Sequence, residues 1–222
     1  MPAVPLETTA RTVARILLET GAVLMRPADP FTLTSGEKSP VYVDCRKLIA
    51  FPRARRFIVQ ALADTACRMC GFESIDGVAG GETAGIAYAA WVAEVLGLPM
   101  AYVRKKPKGF GRGSQIEGVI HAGQRILLVE DLATDGGSKA VFVRALNDVG
   151  ASVPLSIVVF HYGIFPYEGT ELAQLGVPLK GLATWADVLD LARAEQRFPT
   201  EALAEVEAFL NDPAAWRQQH GG

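Results

Sequence analysis

The feature that most limits what this chain can fold into is a run of branched apolar residues ending on two acids. Ile126–Leu127–Leu128–Val129 shows no polar alternation, and such runs suit a strand buried on both faces, as in a parallel sheet. Glu130 and Asp131 follow at once, where the carboxyl end of that strand is expected to meet solvent. Thr134–Asp135–Gly136–Gly137–Ser138 then reads as a turn, and Val141, Ala145, Leu146 and Val149 mark one side of a helix. Strand, acid pair, glycine turn and helix together make an anion cradle. Small residues let backbone approach a ligand, and N–H groups at the helix start point towards negative charge.

The acids set this loop apart from a general phosphate loop. Two carboxylates repel phosphate, so they make sense only if the ligand also carries hydroxyls or a metal. A sugar phosphate with vicinal hydroxyls fits both halves, hydroxyls to Glu130 and Asp131 and phosphate to the Thr134–Ser138 turn. The plainer reading is an ordinary strand–turn–helix with acids at a strand end. The stretch resembles the phosphoribosyl-pyrophosphate (PRPP) motif of the type I phosphoribosyltransferases, in which an apolar strand leads into two acids and a T-x-G-G-S/T-type turn.

A second unit of the same kind lies upstream. Ile75–Asp76–Gly77–Val78–Ala79 reads as a strand, Gly80–Gly81–Glu82–Thr83–Ala84–Gly85 as a loop, and a helix runs on through Trp91, Val92, Val95 and Leu96. Alone, such a loop signals tight packing as readily as an anion site. Paired with the first, it offers two phosphate cradles at the carboxyl edge of one sheet, where ligands of open parallel sheets gather. Pro99 to Val103 is a further strand. It ends in Arg104–Lys105–Lys106–Pro107–Lys108–Gly109–Phe110–Gly111–Arg112–Gly113, five cations among glycines and a proline with no apolar period. A solvated charge run is the plain reading. Starting at a strand's carboxyl end, the segment instead suits a mobile lid that neutralises a departing pyrophosphate.

At 222 residues the chain suits one α/β domain with a small appendage, burying about 70% of its unfolded surface. No apolar stretch approaches the roughly 20 residues of a membrane span, and the start has acids where a signal peptide has its charged-then-apolar order. The net charge of −2 gives no basic field for nucleic acid. Three cysteines, Cys45, Cys67 and Cys70, suit a reduced cytoplasmic compartment. Cys67 and Cys70 form a CxxC near a helix end with Gly71 as C-cap. No second CxxC or nearby histidine completes a zinc site, so two half-buried helix cysteines are expected.

Elsewhere, Thr8 or Thr9 is expected to cap a first helix running to Glu19, with Val13, Ile16 and Leu17 on one face. Val23–Leu24–Met25 reads as a short strand. Phe31 to Pro40 is turn-rich and leads into Val41–Tyr42–Val43–Asp44; it reads as a plain hairpin in preference to a loop presenting backbone donors to a ligand. Pro52 opens a helix to about Met69, whose early arginines, Arg53, Arg55 and Arg56, oppose the helix dipole and read as solvated. Val153 to Phe160 is a buried strand ending in His161–Tyr162–Gly163. Thr184 caps a helix, Thr200 to Leu210 is a last amphipathic helix, and Pro213 with Gly221–Gly222 marks a frayed end.

Four stretches carry a closer resemblance over most of the chain: Phe31–Pro40 (FTLTSGEKSP), Gly80–Ile86 (GGETAGI), Tyr102–Gly118 and Leu127–Ser138 (LLVEDLATDGGS). They resemble the orotate phosphoribosyltransferases, to which the R-K-x-x-K loop followed by I-E-G is the most specific. The resemblance implies an α/β type I phosphoribosyltransferase fold, a central mostly parallel sheet flanked by helices. It implies one domain over 1–222, with a small hood from about 22–45 and 160–222. It also implies a cytoplasmic homodimer with shared active sites, using Mg²⁺ bound mainly through PRPP and joining orotate to PRPP in pyrimidine biosynthesis. Carried over by position, PRPP would be bound by Arg104, Lys105, Lys108, Glu130, Asp131, Leu132, Ala133, Thr134, Asp135, Gly136, Gly137 and Ser138. Lys108 and Asp131 would be catalytic, the latter through the ribose hydroxyls. Thr134, Tyr162 and Lys38 would face the orotate. No protein side chain is implied as a direct metal ligand, and neither nucleic acid nor membrane as a partner.

The chain departs from the family pattern at three positions. Thr34 stands for the lysine of F-T-L-K-S-G, Phe110 for a loop histidine, and Tyr162 for an arginine that binds the base. Two of these touch the base site, so transfer to another nucleobase stays open. A PRPP-binding regulator on the same fold is a third reading, against which the intact Arg104 to Arg112 cations stand.

Overall fold

The structure is a computed structural model that describes residues 6–33, 36–107, 115–134 and 136–220, with side chains from residue 9 onward. The chain divides into two compact units, residues 1–51 with 183–222, and residues 52–182.

The first unit opens with α1 (Leu6–Glu19). Thr9 does not cap it. It lies inside, one and two turns before Val13 and Leu17, and is buried with them, so burial on one helix face overrides its preference for a cap. β1 (Val23–Met25), β2 (Phe31–Thr32), β3 (Lys38–Ser39) and β4 (Val41–Val43) follow. β1 pairs antiparallel with β4, and β2 with β3 in the register Phe31↔Ser39, the expected hairpin.

The second unit starts with α2 (Pro52–Cys70), closed by Gly71 at φ +97. There follow β5 (Gly77–Gly81), α3 (Ala84–Leu96), β6 (Met100–Val103), β7 (Ile116–Glu117), β8 (Ile126–Ala133), α4 (Gly137–Asp148), β9 (Ser156–His161), α5 (Glu171–Gln174) and β10 (Leu179–Thr184). Six strands form one sheet in the order β10-β9-β8-β5-β6-β7. β9, β8, β5 and β6 are mutually parallel, with β7 antiparallel at one edge. At the amino ends of β5 and β8 the Arg125 guanidinium forks onto Asp76, 2.9 Å from Oδ2 and 2.8 Å from Oδ1, fixing the two central strands in register.

Alternation along β8 explains the layers. Ile126 and Leu128 pack with Ala79, Phe142, Val143 and Leu146 in one core under α4. Leu127 and Val129 are as deeply buried on the other side, where α3 packs on β5 and β8 and α2 on β9 and α3. Phe142 is 1% exposed, and burying a side chain of that size contributes about 1.5–3 kcal/mol. The buried face of α4 is not the one its valines suggested. Val141 and Val149 are exposed, while Ala140, Phe142 and Val143 face the sheet; the larger aromatic, with its greater area to bury, sets the rotation of the helix.

The first unit ends with α6 (Trp185–Ala194), α7 (Thr200–Asn211) and α8 (Pro213–Gln219). Thr184 and Asp187 form a capping box at α6, as the sequence suggests. The tail does not fray at Pro213. Proline is favourable at a first helical position, Asp212 accepts from the Ala215 N–H at 2.9 Å, and Trp216 is buried edge-on against Phe209. No helix among the described residues is long and apolar enough to cross a membrane.

Candidate active site

Because β5, β6, β8 and β9 are parallel neighbours, the chain leaves all four at the same edge of the sheet. Gly81 leads into the Glu82–Thr83 turn, Val103 into Arg104, Ala133 into Thr134, and His161 into Tyr162. Both glycine loops and the start of the basic segment therefore share one edge.

Close approach explains the glycines of the first loop. A Cβ on Gly80 would lie 2.6 Å from the Gly85 carbonyl oxygen, and one on Gly85 would lie 2.7 Å from the Val129 carbonyl oxygen and overlap Glu130 Oε1. Any side chain at either position would push the loop off the acid pair. Glu82 ties this loop to the next. Its N–H donates to the Val103 carbonyl at 2.9 Å, and its Oε2 accepts from the Lys105 N–H at 2.8 Å. The basic segment is closed at its base, the Arg104 N–H donating to the Gln115 carbonyl at 2.8 Å and Gln115 Nε2 to the Arg104 carbonyl at 2.7 Å. Arg104 is half-buried, 3.7 Å from Glu117, and Lys105 is exposed. Lys108, Phe110 and Arg112 lie outside the described residues, as do Thr34 and Asp135.

The acid pair is not symmetrical. β8 continues past both acids to Ala133, pairing with β9 in the register Glu130↔Val158 and Ala133↔His161. Glu130 therefore does not sit at an open strand end. It is 6% exposed, Oε2 lies 3.2 Å from Lys139 Nζ, and Oε1 has no hydrogen-bond partner among the described residues. Burial pushes its carboxyl up to about 7; Lys139 pulls the other way, and the charge of Asp131 adds to the rise. Lys105 also lowers it, which puts the basic segment within electrostatic reach of the acids. Asp131, on the opposite pleat, is half-buried.

Leu132 and Ala133 complete the strand, Thr134 is exposed, and Gly136 takes a left-handed φ of +84 as the residue before α4. Gly137 and exposed Ser138 form the first positions of that helix, so their N–H groups stand at its positive end. Tyr162 continues the β8–β9 ladder, its N–H donating to the Ala133 carbonyl at 2.9 Å and its ring edge-on to Phe160. His161 bonds the Thr134 backbone; burial lowers its pKa despite that bond, and Lys139 lowers it further. Lys38 belongs to the first unit, its Nζ 3.0 Å from Thr32 Oγ1. Cys67 and Cys70 are half-buried free thiols, both pushed up mainly by burial.

A relative from Cereibacter sphaeroides named orotate phosphoribosyltransferase is 57% identical over 213 residues, 96% of this chain and 92% of its own length. The chain belongs to the orotate phosphoribosyltransferase family. A second orotate phosphoribosyltransferase, from Sinorhizobium fredii, is 50% identical over 96% of this chain and 92% of its own. The crystal structure of orotate phosphoribosyltransferase from Aeropyrum pernix superposes with a TM-score of 0.67 at 31% identity, covering 80% of this chain and 97% of that one. No protein-family model matches the chain.

Lys139 escapes a reading of the orotate phosphoribosyltransferase motifs, yet it is the most deeply buried cation beside the acids. The available signal was its place three residues into a helix, where the dipole disfavours a cation.

Proposed function

We propose that this protein transfers the 5-phosphoribosyl group of PRPP to orotate, giving orotidine 5′-monophosphate and diphosphate in pyrimidine biosynthesis. The observation that carries the reading is the shared edge: two glycine loops and a basic segment converge around an acid pair. PRPP has two phosphate ends and a vicinal diol, and this edge offers a counterpart to each. Thr134 to Ser138, with the Leu132–Ala133 backbone beneath, take the 5-phosphate at the start of α4. Glu130 and Asp131 serve the ribose hydroxyls. Arg104, Lys105 and Lys108 take the pyrophosphate.

Bond breaking leaves positive charge on the ribose and negative charge on the pyrophosphate. Asp131 steadies the first through the hydroxyls, and Lys108 the second as it departs. Thr134 and Tyr162 contact the base, and Lys38 is assigned to its carboxylate on charge alone. Mg²⁺ bound through the substrate would supply further positive charge at the leaving group. A hard cation that keeps its substrate and water ligands needs no protein cage. We read the two compact units as parts of one domain, and the protein as a cytoplasmic homodimer.

The test is incubation with PRPP, Mg²⁺ and orotate while following loss of orotate absorbance. Turnover supports the reading. Turnover of uracil or adenine but not orotate would replace the acceptor, as Tyr162 allows. PRPP binding without turnover of any base would make the protein a sensor.

A further inference from the structure

Lys139 occupies the third position of α4, where the positive end of the helix disfavours an ammonium group. Its side chain is nevertheless 6% exposed. A buried ammonium is stable only when its donors are matched, and here three acceptors surround it. Nζ lies 3.2 Å from Glu130 Oε2 and 3.1 Å from Ser138 Oγ, and it donates to the Leu132 carbonyl oxygen. These acceptors bracket the site: Glu130 is the first acid, Leu132 follows the second, and Ser138 belongs to the phosphate turn. One buried cation thus ties the acid pair to the turn.

On the reading that the acid pair takes the ribose hydroxyls, we infer that Lys139 is a positioning residue for PRPP, holding Glu130 as an oriented carboxylate and keeping β8 in register with the phosphate turn. Glu130 has two opposing environments. Gly81, Gly85 and Phe142 close it in on apolar sides, and Oε1 packs against both glycines with no hydrogen bond from the described residues. Among the described residues, the charged groups around it are Lys139 from α4, Asp131 from β8 and Lys105 from the basic segment, with His161 of β9 acted on by Lys139. Glu82, on the β5–α3 loop, is engaged by the Lys105 backbone. The arrival of a polyanion makes ionisation of Glu130 harder still. Lys139 is the one of these cations in direct contact with its carboxylate, so its removal leaves Glu130 neutral near pH 7. A neutral carboxyl is the poorer acceptor for a ribose hydroxyl.

The experiment measures PRPP affinity by calorimetry from pH 5.5 to 9, without base, for the wild type, Lys139→Met and Lys139→Arg. The substrate phosphates titrate alike in all three, so only differences between variants count. Lys139→Met is expected to bind PRPP about tenfold more weakly at pH 7, its acid limb moved up by about one unit, with affinity recovering towards pH 9. Lys139→Arg keeps the charge and is expected to keep the wild-type limb. In steady-state kinetics KM for PRPP should rise in Lys139→Met while KM for orotate stays put. A merely structural lysine would lower the melting temperature and leave the limb where it was, and that result overturns the proposal. So does a limb that moves equally in both variants. If Lys139→Met fails to fold, Glu130→Gln carries the test: its acid limb must shrink to the part that the substrate phosphates contribute, and a limb unchanged from the wild type overturns the proposal. Wild-type protein that binds no PRPP would overturn the underlying assignment of the acid pair instead.

Discussion

Glu130 carries its charge at a cost to the fold, and the sign of that cost can be measured. Its carboxyl stands at about 7 in the folded protein against an ordinary 4.5. Between those values the folded state holds a proton that the unfolded state has released, so stability falls as pH rises through this window and levels off above it. The full difference is about 3 kcal/mol, from the conversion of pKa units to free energy. Unfolding free energies of the wild type and Glu130→Gln, taken at pH 5 and pH 8, are expected to show that loss in the wild type alone. Any constant penalty for leaving Lys139 beside an amide cancels in the comparison. Equal slopes would mean that Glu130 is already ionised at pH 5. Lys108 is expected to behave differently, since its proposed partner is charge that develops during reaction. Lys108→Ala should lower kcat about a hundredfold, roughly 3 kcal/mol, with PRPP affinity little changed. An equal loss in both would move its role to the ground state.

At the scale of elements, the loop between β5 and α3 is built on contact distances that admit no side chain. Gly85→Ala places its Cβ 2.7 Å from the Val129 carbonyl and against Glu130 Oε1. We expect a stability loss of about 1–3 kcal/mol from overpacking, with a larger fractional loss of PRPP affinity than of thermal stability. Gly97→Ala is the control, a left-handed glycine with open space around it; it should cost stability of order 1 kcal/mol and leave affinity intact. This loop also shows what the sequence could reveal. Strand, glycine turn and helix follow one another directly in sequence, over residues 77–96 and 126–148, so β5–α3 and β8–α4 were legible as units, and two parallel units force their loops to one edge. The burial of Glu130 was not legible. It depends on β9 pairing beyond the acids, a partner 28 residues away at Val158, and on a lysine whose local setting argues for exposure. The same holds for α4, where the sequence put Val141, Ala145, Leu146 and Val149 on one side, and the sheet beneath buries Ala145 and Leu146 with Phe142 while leaving the two valines exposed. At α8, Pro213 was legible as a break, but whether a helix ends or begins at a proline was settled by the buried Trp216.

At the scale of the whole molecule, the shared active sites that the family resemblance implies for a homodimer would be sites that one chain does not complete. The basic segment is anchored at its two ends in its own sheet, through Arg104 and Gln115, while its cationic middle is proposed to close over a partner's PRPP. Complementation separates this from closure within one chain. Lys108→Ala removes the lid charge and leaves the acids; Asp131→Asn removes an acid and leaves the lid. Each homodimer is expected to be nearly inactive. Mixed in equal amounts under conditions that exchange subunits, half of the dimers pair one of each. In such a dimer the chain bearing Lys108→Ala keeps Asp131 and receives an intact lid from its partner, while the opposite site lacks both groups. Activity should therefore rise to about a quarter of the wild-type value, the fraction expected from a two-fold symmetric pairing. If the lid closes over its own chain's site, every site in the mixture lacks one group and the activity stays at the level of the parents. Light scattering on the same mixture checks that dimers are present, so that silence from a monomeric sample is not mistaken for closure within one chain.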